Sequence, residues 1–198
     1  FYASDWNYED CMSVTEELIR HAIQESIGTL QIERGGRTID FAQPWPRRRL
    51  SELILEHSGI DIDQYKDAAS LRTAIFAAKV ELDNPDAGRG SLIDQLYKRT
   101  ARPTLVQPTF IVGHPVDLSP LARRNDANPD AVDRFQLVVD TWEVINAYSE
   151  LVDPLDQRVD HRQLQLLHVS ADAQAVIGQP NDRVGHELSG TMERDVPP

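Results

Sequence analysis

The chain has 198 residues, 40% of them hydrophobic and 26% charged, with 32 acidic against 20 basic side chains and a formal net charge of −12. That length suits one domain or a large piece of one, and the acidic balance argues against broad, unspecific nucleic-acid binding, because neutralising phosphates takes clustered Lys and Arg. The single cysteine, Cys11, excludes an internal disulfide and a cysteine zinc cluster and fits a reducing cytosol, and no apolar run approaches the ~18 residues of a membrane-spanning helix.

The N-terminal stretch FYASDWNYED is polar and acidic, unlike a secretory signal. Beginning at Phe1 rather than Met, the chain reads as a fragment, a processed product or a partial chain. Residues 8–27 form an amphipathic pattern, with Tyr8, Cys11, Met12, Leu18, Ile19, Ala22, Ile23 and Ile27 recurring at spacings of three and four. Asn7 is the expected N-cap, Glu9 and Asp10 occupy the first turn, and Gly28 ends the helix. Cys11 falls within this pattern and reads as a structural thiol. Leu30 and Ile32, then Ile39 and Phe41, alternate with polar neighbours around Gly35-Gly36, the pattern of a β-hairpin.

Pro44-Trp45-Pro46 interrupts regular structure, and a helix is predicted over 50–57. The run Arg47-Arg48-Arg49 reads as a solvated basic edge rather than a phosphate contact. Residues 60–103 read as a small helical insertion, with one helix over 68–82 and a second N-capped by Ser91, carrying Leu92, Ile93, Leu96 and Tyr97 on one face. The loop between them, Asn84 to Gly90, has no Lys-Ser/Thr ending and so is a turn rather than a phosphate-binding loop. From Thr104 the pattern changes to strands. Thr104–Val112 is predicted as a strand broken at Pro108, which implies an edge or a bulge. Two more strands are predicted over 133–139 and 142–150, joined by a tight turn near Asp140-Thr141. Short successive strands with helices grouped elsewhere predict an α+β fold with an antiparallel sheet. A helix is expected from Pro154 to about residue 169, and the tail 170–198 is weakly patterned.

The stretch Trp142 to Leu151 carries the most chemistry. On a strand, residues two apart share a face, so Asn146, Tyr148 and Glu150 project together. An amide, a ring and a carboxylate on one face suit a small cationic ligand: the carboxylate pairs with the cation, the ring packs on its aliphatic stem, and the amide fixes a polar end. By spacing alone, the outward polar face of an antiparallel strand has the same pattern. Glu143 has the opposite parity and joins that face only if a bulge lies between 143 and 146. His161 and His168 are seven residues apart with no third ligand in step, so no zinc site is expected. His21, His57 and His186 are isolated, and His114 reads as structural.

Three separated segments resemble class II lysyl-tRNA synthetases, in that family's order. They are Phe1-Tyr2 through Asp10-Cys11-Met12; Gln107-Pro108-Thr109-Phe110 with Pro115 and Ser119-Pro120-Leu121-Ala122-Arg123-Arg124-Asn125-Asp126; and Arg134-Phe135 followed by Glu143 to Leu151 and Asp153 to Gln157. The resemblance covers positions 1–158. It implies a class II synthetase-type α+β catalytic domain, an antiparallel sheet flanked by helices, that activates L-lysine with ATP and transfers it to tRNA(Lys). It further implies that Glu150 takes the lysine ε-ammonium, Tyr148 packs on the methylenes, Tyr2 also reaches the ε-amine, and Asn146 orients the α-carboxylate. Glu143 would hold Mg²⁺ on the ATP phosphates, with Gln136 beside it at the same ATP/Mg²⁺ site. Catalysis would then be positioning and charge neutralisation, with no residue forming a covalent intermediate.

The sequence departs from the family at Gln136, where a second acidic metal ligand is usual, at Val152, where asparagine is common, and at His114. The arginine-bearing part of motif 2 is expected before Phe1, with motif 1 and the anticodon-binding barrel further upstream, and motif 3 is expected after Pro198. The resemblance also implies a cytoplasmic homodimer. Two alternatives share the fold: a paralogue that attaches a lysine-like group to a protein such as elongation factor P, and a non-catalytic module that keeps the lysine pocket. Ser149 and the complete Ser-Pro-Leu-Ala-Arg-Arg block favour the ligase over the paralogue.

Overall fold

The computed structural model describes residues 2–152. Helix α1 (Tyr8–Ile27) starts where Asn7 can accept hydrogen bonds from the backbone N–H groups of Glu9 and Asp10, at 2.8 and 2.9 Å. Asp10 returns the favour by accepting from the Asn7 N–H at 3.0 Å. This reciprocal pair satisfies donors that the first turn cannot, and an N-cap of this kind stabilises a helix by ~1 kcal/mol. Gly28 closes α1 in the left-handed conformation, with φ 80°. Strands β1 (Gln31–Arg34) and β2 (Arg37–Asp40) follow as an antiparallel hairpin. Gly35 and Gly36 between them both have positive φ, as a two-residue turn matching strand twist requires.

The main sheet has four strands in the order β3 (Arg47–Arg49), β4 (Thr109–Pro115), β5 (Ala131–Val139) and β6 (Trp142–Tyr148). The three C-terminal strands are antiparallel to one another, but β3 runs parallel to β4, pairing Arg47 with Phe110 and Arg49 with Val112. The expected antiparallel sheet is therefore mixed, and the triple-arginine run, an exposed basic edge as expected, also forms its edge strand. Arg48 pairs with Glu56 at 2.6 Å. Strand β4 begins only after Pro108 rather than at Thr104, because residues 102–104 turn as a short 3₁₀ segment. It lies inside the sheet, and its irregularity sits at Gly113 (φ 68°), between Val112 and His114.

The two faces of the sheet bury different partners. Phe135 and Leu137 of β5 and Phe110 of β4 pack with Met12 of α1, with Ile39 and Phe41 of the small hairpin, and with Trp45. Phe110 meets Phe135 edge-on at 5.5 Å between ring centroids. On the opposite face, Ile111 and Val138 are covered by α2 (Leu50–Ser58), α3 (Ala68–Ala77) and α4 (Arg89–Thr100), through Leu53, Ile54, Leu71, Ile75, Ile93 and Leu96. Each such fully buried aliphatic side chain contributes roughly 1.5–3 kcal/mol of transfer free energy.

Helix α3 stops at Ala77 rather than at residue 82. Lys79 takes φ 59° and the Val80 N–H reaches back to Ile75 O at 3.3 Å, the six-to-one bond of a Schellman ending. Helix α4 starts at Arg89 with Gly88 as N-cap, two residues before the predicted start, and Ser91 lies within it. Gly90 is required there, since a Cβ would come within 2.5 Å of the Asp117 carbonyl oxygen. The predicted strand 142–150 ends as a regular element at Tyr148, with Glu150 continuing as an isolated bridge to Ala122. The helix expected from 154 to 169, the tail 170–198 and His161, His168 and His186 lie outside the described residues.

Candidate active site

Strand β6 is set by a turn and a bulge. Asp140 and Thr141 both adopt positive φ, 47° and 69°, without a glycine. Tertiary bonds hold this strained pair. The Asp140 N–H donates to Val106 O at 2.9 Å, the Thr141 N–H donates to Leu105 O at 2.8 Å, and Arg102 Nε donates to Thr141 O at 2.9 Å. The Asp140 carboxylate is buried and met by Arg37 at 2.6 Å and Arg34 at 3.4 Å. Beyond the turn, Val139 faces Trp142 and Val138 faces Glu143, but Leu137 faces Ile145. Val144 is thus the extra residue of a β-bulge.

The bulge resolves the parity question at Glu143. Past it, Gln136 pairs with Asn146 and Arg134 with Tyr148, so these four side chains share one face. Glu143 reaches the same face, where its Oε2 accepts from Gln136 Nε2 at 2.9 Å. The face is the one covered further along by α2–α4, and its open part carries Glu143, Asn146, Tyr148 and Glu150, all exposed. A cleft of about 930 Å³ runs along the β6 edge, lined on one side by Tyr8, Cys11 and Ile19 of α1 and by Phe135, Ile145 and Ala147 of the α1-facing side of the sheet, and at the edge by Tyr2, Arg123, Asn146, Tyr148 and Glu150. The four residues expected around lysine therefore line one cleft. Glu143 and Gln136 lie outside its lining, nearer the turn.

Two hydrogen-bonded rows support these side chains from behind. In the first, buried His114 places Nε2 3.2 Å from Gln136 Oε1, and Gln136 passes its amide hydrogens to Glu143. A carboxylate only accepts, so Gln136 must present its nitrogen to Glu143 and its oxygen to His114, which places a proton on His114 Nε2. Burial is the main cause that pushes His114 down to about 4, and the positive charge of Arg134 adds to it. In the second row, Arg134 donates from Nη1 to Leu118 O at 3.2 Å and to the Ser119 hydroxyl, and from Nε to Asn146 Oδ1 at 2.9 Å. Burial lowers the pKa of Arg134, opposed by the charge of Glu143.

Among the described residues no cluster of three or more His, Cys, Asp or Glu is placed to hold a metal ion. Glu143 is exposed, with only Oε2 engaged, so a divalent cation that takes one protein carboxylate plus water and phosphate oxygens fits there. Gln136 has its oxygen turned towards His114, and it is buried. Sequence reasoning named His114 only as structural and Arg134 only as part of a matching segment. The available signal was parity: Arg134 and Gln136 are two apart, alternating with apolar Phe135, Leu137 and Val139.

The helices and mixed sheet make an α+β unit, and residues 1–176 match the family described as tRNA synthetases class II (D, K and N). The chain belongs to that family. Among curated proteins it is similar to the lysine–tRNA ligase of Pelotomaculum thermopropionicum, 39% identical over 158 residues, covering 79% of this chain and 31% of the relative. The lysine–tRNA ligase of Aromatoleum aromaticum is 42% identical over 158 residues, 79% of this chain and 31% of the relative. That of Thermosynechococcus vestitus is 34% identical over 198 residues, 100% of this chain and 38% of the relative. The chain thus spans about a third of the length of these relatives. No helix among the described residues is long and apolar enough to cross a membrane.

Proposed function

We propose that this chain forms the lysine-binding part of a lysine–tRNA ligase, which joins L-lysine to ATP as lysyl-adenylate and then transfers the lysyl group to tRNA(Lys). The observation that carries this reading is the shared cleft of Tyr2, Asn146, Tyr148 and Glu150. Glu150 takes the ε-ammonium as a charge-assisted pair, while Tyr148 packs on the methylenes and Tyr2 closes over the amine. Asn146 hydrogen-bonds the α-carboxylate, whose oxygen attacks the α-phosphorus of ATP as pyrophosphate leaves. The chain holds the two reactants in line and needs no covalent enzyme intermediate.

Glu143 holds Mg²⁺, and Gln136 and His114 fix its carboxylate without being ligands themselves. Mg²⁺ held there would supply charge neutralisation on the ATP phosphates. The similarity to lysine–tRNA ligases supports this over the modification of a protein. A homodimeric assembly in the cytoplasm belongs to the same proposal.

The test is lysine-dependent ATP–pyrophosphate exchange by the complete parent protein, with the segments expected to carry motifs 2 and 3, alongside calorimetric titration of this chain, itself expected to be inactive, with lysine. Glu150→Gln removes the counter-charge of the ε-ammonium and is expected to weaken lysine binding by ~2–3 kcal/mol. Unchanged lysine affinity in that variant would remove Glu150 from the site, and no exchange with intact lysine binding would leave a binding module rather than a ligase.

A further inference from the structure

The Arg134–Asn146 contact settles which end of an amide faces the ligand. A carboxamide has an oxygen and a nitrogen of nearly the same shape, and its partners decide which way it points. A guanidinium Nε–H is only a donor, so the Asn146 atom 2.9 Å from it must be the oxygen. Arg134 cannot readily turn away, because its Nη1 is tied to Leu118 O and to the buried Ser119 hydroxyl at the start of the Ser-Pro-Leu-Ala block. Among the described residues nothing takes the Asn146 Nδ2 group, which stands on an exposed residue lining the cleft. The partners of Arg134 itself are a carbonyl, a hydroxyl and an amide oxygen, all neutral, and none of the described ion pairs includes it. Glu143 and Asp94 act on it only through space. A part-buried positive charge without a paired carboxylate favours an anion nearby.

We propose that Arg134 is a positioning and specificity-determining residue: anchored by Ser119, it turns the Asn146 amide outward as a donor and makes this end of the cleft select a carboxylate over a neutral carboxamide. The inference rests on the lysine reading above and names what distinguishes the free amino acid from its amide. Lysinamide keeps both amines of lysine and replaces only the carboxylate, so it isolates this end of the cleft from the Glu150 end.

Calorimetric titration of the full chain with lysine and with lysinamide supplies the test. Wild-type protein is expected to bind lysine more tightly than lysinamide by ~10–100-fold, the range of one or two charge-assisted hydrogen bonds. Arg134→Gln is expected to bring the two affinities within ~3-fold of each other, mainly by weakening lysine, because a carboxamide oxygen also accepts from the Asn146 donor and only the charged carboxylate gains in addition from the Arg134 charge behind it. A residue with a merely structural role would weaken both ligands alike and leave the ratio where it was, and that result overturns the inference. Should Arg134→Gln not fold, Ser119→Ala removes one anchor with little change of volume. It is expected to reduce the ratio several-fold, and an unchanged ratio there likewise overturns the inference. Wild-type protein that binds lysine and lysinamide equally sinks the inference and leaves the lysine reading standing. Wild-type protein that binds neither sinks the lysine reading itself, and the inference with it.

Discussion

The two ends of the β5–β6 hairpin are built on opposite rules. At the turn end, backbone groups of Asp140 and Thr141 are bonded to Val106 and Leu105, and a buried carboxylate is met by two arginines. At the other end, Asn146, Tyr148 and Glu150 are exposed, and their nearest supports come from the neighbouring strand. The closed end fixes register, and through the bulge at Val144 it decides which face Glu143 occupies. The open end leaves polar groups unpaired for a ligand. The proposed lysine site sits on the part of the hairpin whose side chains are exposed, while the other part fixes its geometry.

The largest expected effect on the comparison comes from the row that links the two ends. His114 takes a proton in the folded chain only at about pH 4, against an ordinary value of 6.5. Between those values the unfolded chain holds more protons, so stability is fully present above about pH 6.5 and is lost as pH falls towards 4. At ~1.4 kcal/mol per pH unit, this amounts to at most ~3.5 kcal/mol. Denaturant unfolding at a series of pH values should show that loss in the wild type and a flatter profile in His114→Gln, and parallel profiles would show that His114 is not held neutral. A smaller effect is expected at the turn. Asp140→Asn keeps a residue that tolerates positive φ but removes the charge facing Arg34 and Arg37. Those arginines are half exposed, so the loss is discounted to ~1–2 kcal/mol. Lysine affinity should stay within ~2-fold, since the closed end carries no ligand contact; a large loss of affinity would merge the two ends into one functional unit.

The sequence was most legible where one residue type has one physical use. Asn7 and Gly28 marked both ends of α1, and Gly35-Gly36 marked the hairpin turn. It misled where an unusual residue took a usual role. Lys79 sits in the left-handed position that glycine normally fills, so α3 was expected to run to residue 82. Gly88 caps α4 in place of Ser91, whose hydroxyl instead accepts from Gln95 at 3.3 Å. Three successive arginines hid β3, because its pairing depends on Phe110 to Val112, more than sixty residues away. On the site face, the parity of Asn146 and Tyr148 could be read directly. The position of Glu143 could be stated only as a condition, since a bulge is fixed by the turn and its tertiary anchors rather than by local pattern. The polar rows behind the site were illegible for a related reason: His114, Gln136 and Glu143 come from three strands, and only the folded register aligns them.

The smallest effect is also the sharpest probe of the closed end. Thr141 is β-branched and held at φ 69°, a conformation that its side chain disfavours by ~1–2 kcal/mol. Glycine there relieves the strain but makes the unfolded chain more flexible, at a cost of ~0.5–1 kcal/mol. The backbone bonds to Leu105 and from Arg102 involve no side-chain atom of residue 141 and survive the change. Thr141→Gly should therefore raise stability by up to ~1 kcal/mol in denaturant unfolding. If it lowers stability by as much, the threonine side chain contributes packing that outweighs its strain, and the turn is held by more than the main-chain bonds and arginine contacts described for it.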